Sequence, residues 1–273
     1  MSDVSSKKSK QTMAEQADIH ELYEEAVQNV ETEIEFLTDT FNDLRGRSAV
    51  TLREDFCGTA SASCEWVRTA KNHSAIGVDI DPNVLKWGRE NRVGRLTDSE
   101  KSRIKLVNQD VMTVNTGKVD IVAAFNFSYW IFQTRDVLRE YFSKIHSTLA
   151  SDGLLFLDAY GGPEAYEEQE ESTKHDGFTY IWDQSEFEPV TSKALCHIHF
   201  KFPDGSRIKK AFSYEWRIWT LPELQEILEE AGFSRVRVYW EDEDEDGEGS
   251  GEFSQDDAGV ADLAWIAYIV AEK

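Results

Sequence analysis

The chain has 273 residues, 40% of them hydrophobic, with 29 basic side chains against 52 acidic ones and a formal net charge of −23. That length suits one large domain, or one domain with an inserted lobe, and the eight Trp supply bulk for a core. The acid excess argues against binding nucleic-acid phosphates or an anionic membrane surface, which need clustered Lys and Arg; the three cysteines, Cys57, Cys64 and Cys196, have no paired spacing and fit a reducing, cytoplasmic setting.

The first 17 residues are polar, hold no signal-peptide core and are expected to form a disordered tail ahead of one domain over 18–273. Residues 18–45 predict a helix, because Leu22, Ala26, Val30, Ile34, Leu37 and Phe41 recur at helical spacing. Strands and helices then alternate. AVTLRE (49–54), SAIGVDI (74–80), RIKLVNQ (103–109), VDIVAAFNF (119–127) and GLLFLDAY (153–160) read as strands, with helices over 59–70, 82–91 and 136–150. Asp81 is the expected N-cap of the second helix, with Pro82 in its first turn. This alternation predicts a parallel sheet with helices on both faces.

Period-two patterns follow at 177–187, 194–202 and 207–219, the last two joined by an Asp204-Gly205 turn. They predict a small antiparallel lobe over 177–219. A helix at 221–233 and strands at 235–240 and 264–270 complete the chain, the two strands linked by an acidic, Gly-rich loop around 241–252. No apolar run is long enough to span a bilayer.

In open α/β sheets, ligands bind beyond the carboxyl ends of the strands. Those ends carry Glu54 to Ala60, then Asp79, Asp110 and Asn126. Gly58 lets backbone approach a ligand closely. Asp79 lies 25 residues after Glu54, about where an acid can hold a ribose diol.

The stretches LREDFCGTA, IGVDIDP, VNQD and WTLPELQEILEEAGF make the chain resemble a class I S-adenosylmethionine-dependent methyltransferase, from about residue 20 onward. The resemblance implies a Rossmann-like, mostly parallel seven-stranded sheet with the small β lobe inserted. It implies S-adenosyl-L-methionine as cofactor. The family's first motif is an acid followed by Gly-x-Gly-x-Gly. Its acid falls on Glu54, with Asp55 sharing the role, and its glycines fall on Phe56, Gly58 and Ala60. Cys57 and Thr59 complete that loop. By the same resemblance Asp79 and Ile80 contact the ribose side, Asp110 and Val111 the adenine side, and Asn126 faces the methionine end. A nicotinamide dinucleotide is the rival ligand, but its Gly-x-Gly-x-x-Gly is absent and Glu54-Asp55 would repel its phosphates.

NFSYW (126–130) resembles the Asn-Pro-Pro-Tyr motif of amino-group methyltransferases in Asn126 and Tyr129 only. These two are the expected acceptor-orienting residues; the other reading is cofactor support from Asn126, with Tyr129 and Trp130 as packing. The lobe is expected to act as lid. Its CHIHFKF strand puts Cys196, Ile198, Phe200 and Phe202 on one face and His197, His199 and Lys201 on the other. A His-x-His pair alone is too few ligands for a metal site. Candidate substrate contacts are Tyr23, Trp130, Tyr160, His197, His199 and Arg217, the last as a carboxylate ligand. The resulting expectation is methyl transfer to an N or O atom of a small-molecule acceptor. Alternatives are a protein methyltransferase, a non-catalytic cofactor-binding module, and, more remotely, a nicotinamide-dependent oxidoreductase.

Overall fold

The computed structural model describes residues 11–243 and 249–273. Helices α1 (Met13–Gln16), α2 (Ile19–Val27) and α3 (Val30–Arg45) precede β1 (Thr51–Asp55), α4 (Ser61–Thr69), β2 (Ser74–Asp79), α5 (Pro82–Asn91), α6 (Asp98–Lys101), β3 (Ile104–Asn108), β4 (Val119–Ala124), α7 (Arg135–Thr148) and β5 (Leu149–Gly161). The lobe follows as β6 (Gln169–His175), β7 (Phe178–Glu188), β8 (Lys193–Lys201) and β9 (Arg207–Arg217). Helix α8 (Leu221–Glu230) and strands β10 (Arg235–Glu243), β11 (Gly249–Gln255) and β12 (Trp265–Glu272) close the domain.

The main sheet runs β11-β10-β12-β5-β4-β1-β2-β3. Strands β1 to β5 are parallel, and β12 joins β5 antiparallel with Trp265 opposite Gly161. Strand order reverses between β1 and β4, so the ends of those two strands open the crevice where an α/β sheet takes its ligand. The sheet has one strand more than expected. Part of the acidic 241–252 segment is not a loop, because β11 pairs with β10 through Phe253 opposite Glu241; residues 244–248 of that segment lie outside the described residues.

The expected 18–45 helix is two helices. The apolar stripe is continuous, but its halves serve different cores: Leu22 packs with Phe178, Ile198 and Phe200 of the lobe, and Ile34, Leu37 and Phe41 pack on the main sheet. The chain turns at Asn29 (φ −109°, ψ 68°) to reach both. Residues 1–10 of the expected tail lie outside the described residues. Its remainder forms α1, which docks on the lobe: the Met13 amide donates to Asp204 at 2.8 Å and the Ala14 amide to Ser206 at 3.1 Å. The lobe is a four-stranded antiparallel sheet that starts at Gln169, earlier than expected, because β6 pairs along β7. Among the described residues, no helix is long and apolar enough to cross a membrane.

Capping follows the sequence. Asp81 accepts the Asn83 amide at 2.8 Å with Pro82 in the first turn of α5, and Thr220 with Glu223 forms a capping box on α8.

Candidate active site

Alternation along β1 puts Glu54 on one face and Arg53 with Asp55 on the other. Asp55 therefore does not share Glu54's role. Its carboxylate is 2.6 and 3.0 Å from the Arg53 guanidinium and accepts the Tyr141 hydroxyl at 2.9 Å, all of it buried. Glu54 turns instead toward α4, where its Oε2 accepts both the amide of Ser63 at 2.9 Å and its hydroxyl at 2.5 Å. Burial pushes the Glu54 carboxyl up to about 7, against the Ser63 hydrogen bonds and with help from the nearby Asp79 and Asp55 charges.

The loop after β1 holds one of the motif's three glycines, yet all three of those positions are left-handed. Phe56, Gly58 and Ala60 have φ of +57°, +51° and +61°. An L-residue in that region costs roughly 1–2 kcal/mol. Packing offsets it: the Phe56 ring lies 6.1 Å from Phe132 and 5.9 Å from Tyr141, and Ala60 is fully buried ahead of α4. Cys57 points down into the core, its Sγ filling the space beside Gly77, so its side chain is not a ligand contact. Above Gly58 nothing lies within 4 Å of where a Cβ would stand, which leaves its surface open to a ligand. Gly88 is tied to the same loop: a Cβ there would sit 2.4 Å from the Thr59 carbonyl oxygen.

Asp79 ends β2. Its Oδ2 accepts the Gly58 amide at 2.9 Å and its Oδ1 the Asp81 amide at 2.8 Å. Each oxygen keeps a lone pair for a diol. Ile80 is 68% exposed beside it, an apolar surface next to a polar anchor. Asn108 donates to the carbonyls of Asp79 and Ile80, which fixes the turn. Asp110 is exposed on the neighbouring strand end, its carboxylate accepting the Met112 amide at 2.8 Å, while Val111 is buried behind it.

Helix α2 lies over this row. Thr59 donates to Glu24 at 2.5 Å, Glu24 also pairs with Arg92, and Trp87 donates to Asp18 at 2.7 Å. Nothing in the sequence around Glu24, Trp87 or Arg92 marks them, because each bond joins residues distant along the chain.

Between β4, β5, α2 and the lobe lies a cavity of about 530 Å³. Asn126 and Phe127 line it, both left-handed (φ +57° and +55°). Their amides donate to the Asp158 carboxylate at 2.6 and 2.9 Å, which pins the turn. Burial pushes Asp158 up to about 7, against these two bonds. An acid inside the apolar run GLLFLDAY was the available signal for it. The double left-handed turn redirects the chain, and Tyr129 is not at the cavity: it is fully buried, donating to the Asp158 carbonyl at 2.8 Å. Of the aromatic residues in NFSYW, the one that lines the cavity is Phe127. Trp130 is likewise buried, behind Tyr160 and Trp216, and touches no ligand space.

Tyr23 and Tyr160 do line the cavity, with Tyr180, Trp182, Tyr214, Trp216 and Trp265. Three carboxylates join them, Glu164, Glu171 and Glu241, and no Lys, Arg or His stands among its described lining residues. The histidine stripe faces the other way. His197 pairs with Ser213 at 2.8 Å, and His199 with Asp183 at 3.0 Å and the Lys210 amide at 2.7 Å. Arg217 is committed as well, 2.9 Å from Glu223 and stacked 3.7 Å over Trp219, where it ties the lobe to α8.

Residues 55–157 match a family model described as a methyltransferase domain. No curated protein matches the chain in sequence. A crystal structure of an S-adenosylmethionine-dependent methyltransferase from Clostridium acetobutylicum ATCC 824 superposes with a TM-score of 0.69 at 14% identity, over 93% of this chain and 96% of that one. CalS10, an amino pentose methyltransferase from Micromonospora echinaspora solved with S-adenosylmethionine bound, gives 0.64 at 15% identity over 94% and 98%. The sugar N-methyltransferase KedS8 from Streptoalloteichus sp. ATCC 53650 gives 0.62 at 14% over 100% and 98%. At these identities the likeness is one of fold.

Proposed function

We propose that this protein, whose residues 55–157 match a methyltransferase domain model, is an S-adenosylmethionine-dependent methyltransferase that methylates a nitrogen atom of a small amine-bearing acceptor. The observation that carries the nitrogen assignment is the cavity wall. Aromatic faces and carboxylates attract a cation, and no cationic side chain among the described lining residues competes for them. The sugar N-methyltransferase among the fold neighbours supports the same class of acceptor atom. Arg217, the expected ligand for an acidic acceptor, is occupied by Glu223.

The strand-end residues fit the cofactor. Asp79 offers acceptors to a ribose diol, Ile80 an apolar surface and Asp110 an acceptor for an adenine amino group, with Gly58 open beneath. When bound, the cofactor supplies an electrophilic methyl group on a sulfonium. The chain contributes by positioning. Asn126 borders both the acceptor cavity and the space beside Glu54, so an acceptor at Asn126 stands where the two meet. A bound ammonium must shed a proton before its nitrogen has a lone pair. The exposed Glu171 and Glu241 give that proton a carboxylate and solvent to go to.

S-adenosylmethionine and S-adenosylhomocysteine are expected to raise the melting temperature, and NAD and NADP to leave it unchanged. A ligand at a hundredfold excess over its Kd adds about 2.7 kcal/mol, about 4–6 °C for a chain of this size. A shift with the nicotinamides alone ends the methyltransferase reading. Consumption of S-adenosylmethionine with phenols or carboxylic acids but with no amine ends the nitrogen assignment.

Asp79→Ala is expected to weaken cofactor binding by about 1.5–3 kcal/mol, the range for hydrogen bonds to a charged group. The fold should survive, since Asp79 stands at a strand end and supports only turn amides. Calorimetry that finds unchanged affinity in the folded variant moves the ribose contact elsewhere.

A further inference from the structure

Nine large apolar side chains are exposed among the described residues, and their places are uneven. Four of them, Tyr166, Val260, Leu263 and Ile266, gather on the segments that edge the acceptor cavity. A single exposed apolar residue needs no explanation, but a group beside a cavity marks a contact surface. Ile266 is the link. It lines the cavity, opposite Tyr160 in the β5–β12 pair, and is also 58% exposed. Leu263, 65% exposed, belongs to a loop seated against the wall: its carbonyl accepts the Glu164 amide at 3.0 Å, and a Cβ on Gly162 would meet that oxygen at 2.3 Å. Val260 follows Gly259, which packs against Trp240, and Trp240 meets Trp265 of the wall at 5.4 Å. Tyr166 follows Ala165 of the wall. Glu241 also stands in the wall, but its Oε1 is drawn to β11 by the Gly251 amide at 2.9 Å. Apolar surface thus runs from the aromatic interior, past Ile266, to the outside.

We propose that the acceptor is an amphiphile, an amine with an apolar tail, whose nitrogen lies at Asn126 and whose tail leaves the cavity over Ile266 and Leu263. This rests on the nitrogen reading and adds to it the class of molecule that carries the nitrogen. The two ends of the site suit the two ends of such a molecule. Inside, ring faces and carboxylates attract an ammonium. At the mouth, the exposed side chains gain by leaving water, and so does each methylene laid on them. The molecule comes from solution, because a chain of net charge −23 is repelled by an anionic bilayer surface.

Calorimetric titration of the full chain, with S-adenosylhomocysteine present, tests the assignment by comparing n-alkylamines with n-alkanols from butyl to decyl, each below its micelle concentration. Affinity for the amines is expected to rise about three- to fourfold per added methylene, as for a CH2 group leaving water. The alkanol of each length is expected to bind about tenfold more weakly. Ile266→Thr combined with Leu263→Ser should cut the gain to less than about twofold per methylene. If that pair does not fold, Leu263→Ser alone, in a loop, should still lower it. Amines that bind with no dependence on length overturn the tail assignment and leave the nitrogen reading standing. A gain per methylene that the folded variants keep in full overturns the assignment as well. Amines and alkanols that bind alike end the nitrogen reading, while the tail surface stands. A chain that binds neither series overturns both.

Discussion

Asp55→Ala is expected to destabilise the fold by about 3–5 kcal/mol, the cost of leaving one partner of a buried ion pair uncompensated. The Arg53 and Asp55 side chains are 2% and 0% exposed and meet through two hydrogen bonds. Without Asp55, the guanidinium keeps only the Val111 carbonyl at 3.3 Å, and the buried Tyr141 hydroxyl loses its acceptor. Urea unfolding followed by tryptophan fluorescence reads the loss directly. Cofactor affinity of the folded fraction should change little, because this carboxylate faces the core and not the crevice. A loss below about 1 kcal/mol, or a selective loss of cofactor binding, would show that Asp55 faces the ligand after all.

Asp158→Asn is expected to lower turnover about a hundredfold while cofactor affinity falls much less. Two backbone amides, those of Asn126 and Phe127, now share one carboxylate. An asparagine offers a single carbonyl oxygen and turns its NH2 group toward one of the two donors. The left-handed turn then loses half its anchor, and the two residues that line the cavity shift. Positioning catalysis is sensitive to such shifts, at about a hundredfold per ångström of misplacement. Asn126→Ala should reduce turnover in the same direction, with its backbone anchor intact. The check is kcat with an amine acceptor found by the cofactor-consumption screen, beside calorimetric Kd for S-adenosylhomocysteine. Turnover within threefold of wild type in a folded Asp158→Asn protein would remove the Asn126–Phe127 turn from the mechanism.

What the sequence could tell divides along physical lines. The places of Asp79, Asp110 and Gly58 at or just past strand ends were legible because an alternating α/β pattern dictates where strands end. Asp55 was not, because neighbouring residues on a strand point to opposite faces and LREDF carries acids on both. Tyr129 and Trp130 were placed at the acceptor by a motif that assumes one course for the turn. Two consecutive left-handed residues give it another. The lobe's faces were read correctly as stripes, but a stripe does not say which side meets a cavity. Ile198 looks toward it, and His197 and His199 find partners within the lobe. The break at Asn29 was hidden because one apolar periodicity serves two cores.

The three left-handed positions at Phe56, Gly58 and Ala60 bear on how the empty loop behaves. A run of glycines reaches this backbone shape easily but leaves it as easily, and a ligand must then freeze the loop as it binds. A phenylalanine locked under Tyr141 and a buried alanine at two of the three positions shrink the set of shapes open to the loop and to the unfolded chain alike. The strain is met once, during folding, by packing. What reaches the ligand is a rigid mould with one supple point, at Gly58, so less of the binding energy goes into ordering the loop. Handedness of the backbone, rather than a tally of glycines, is the property that shapes this loop.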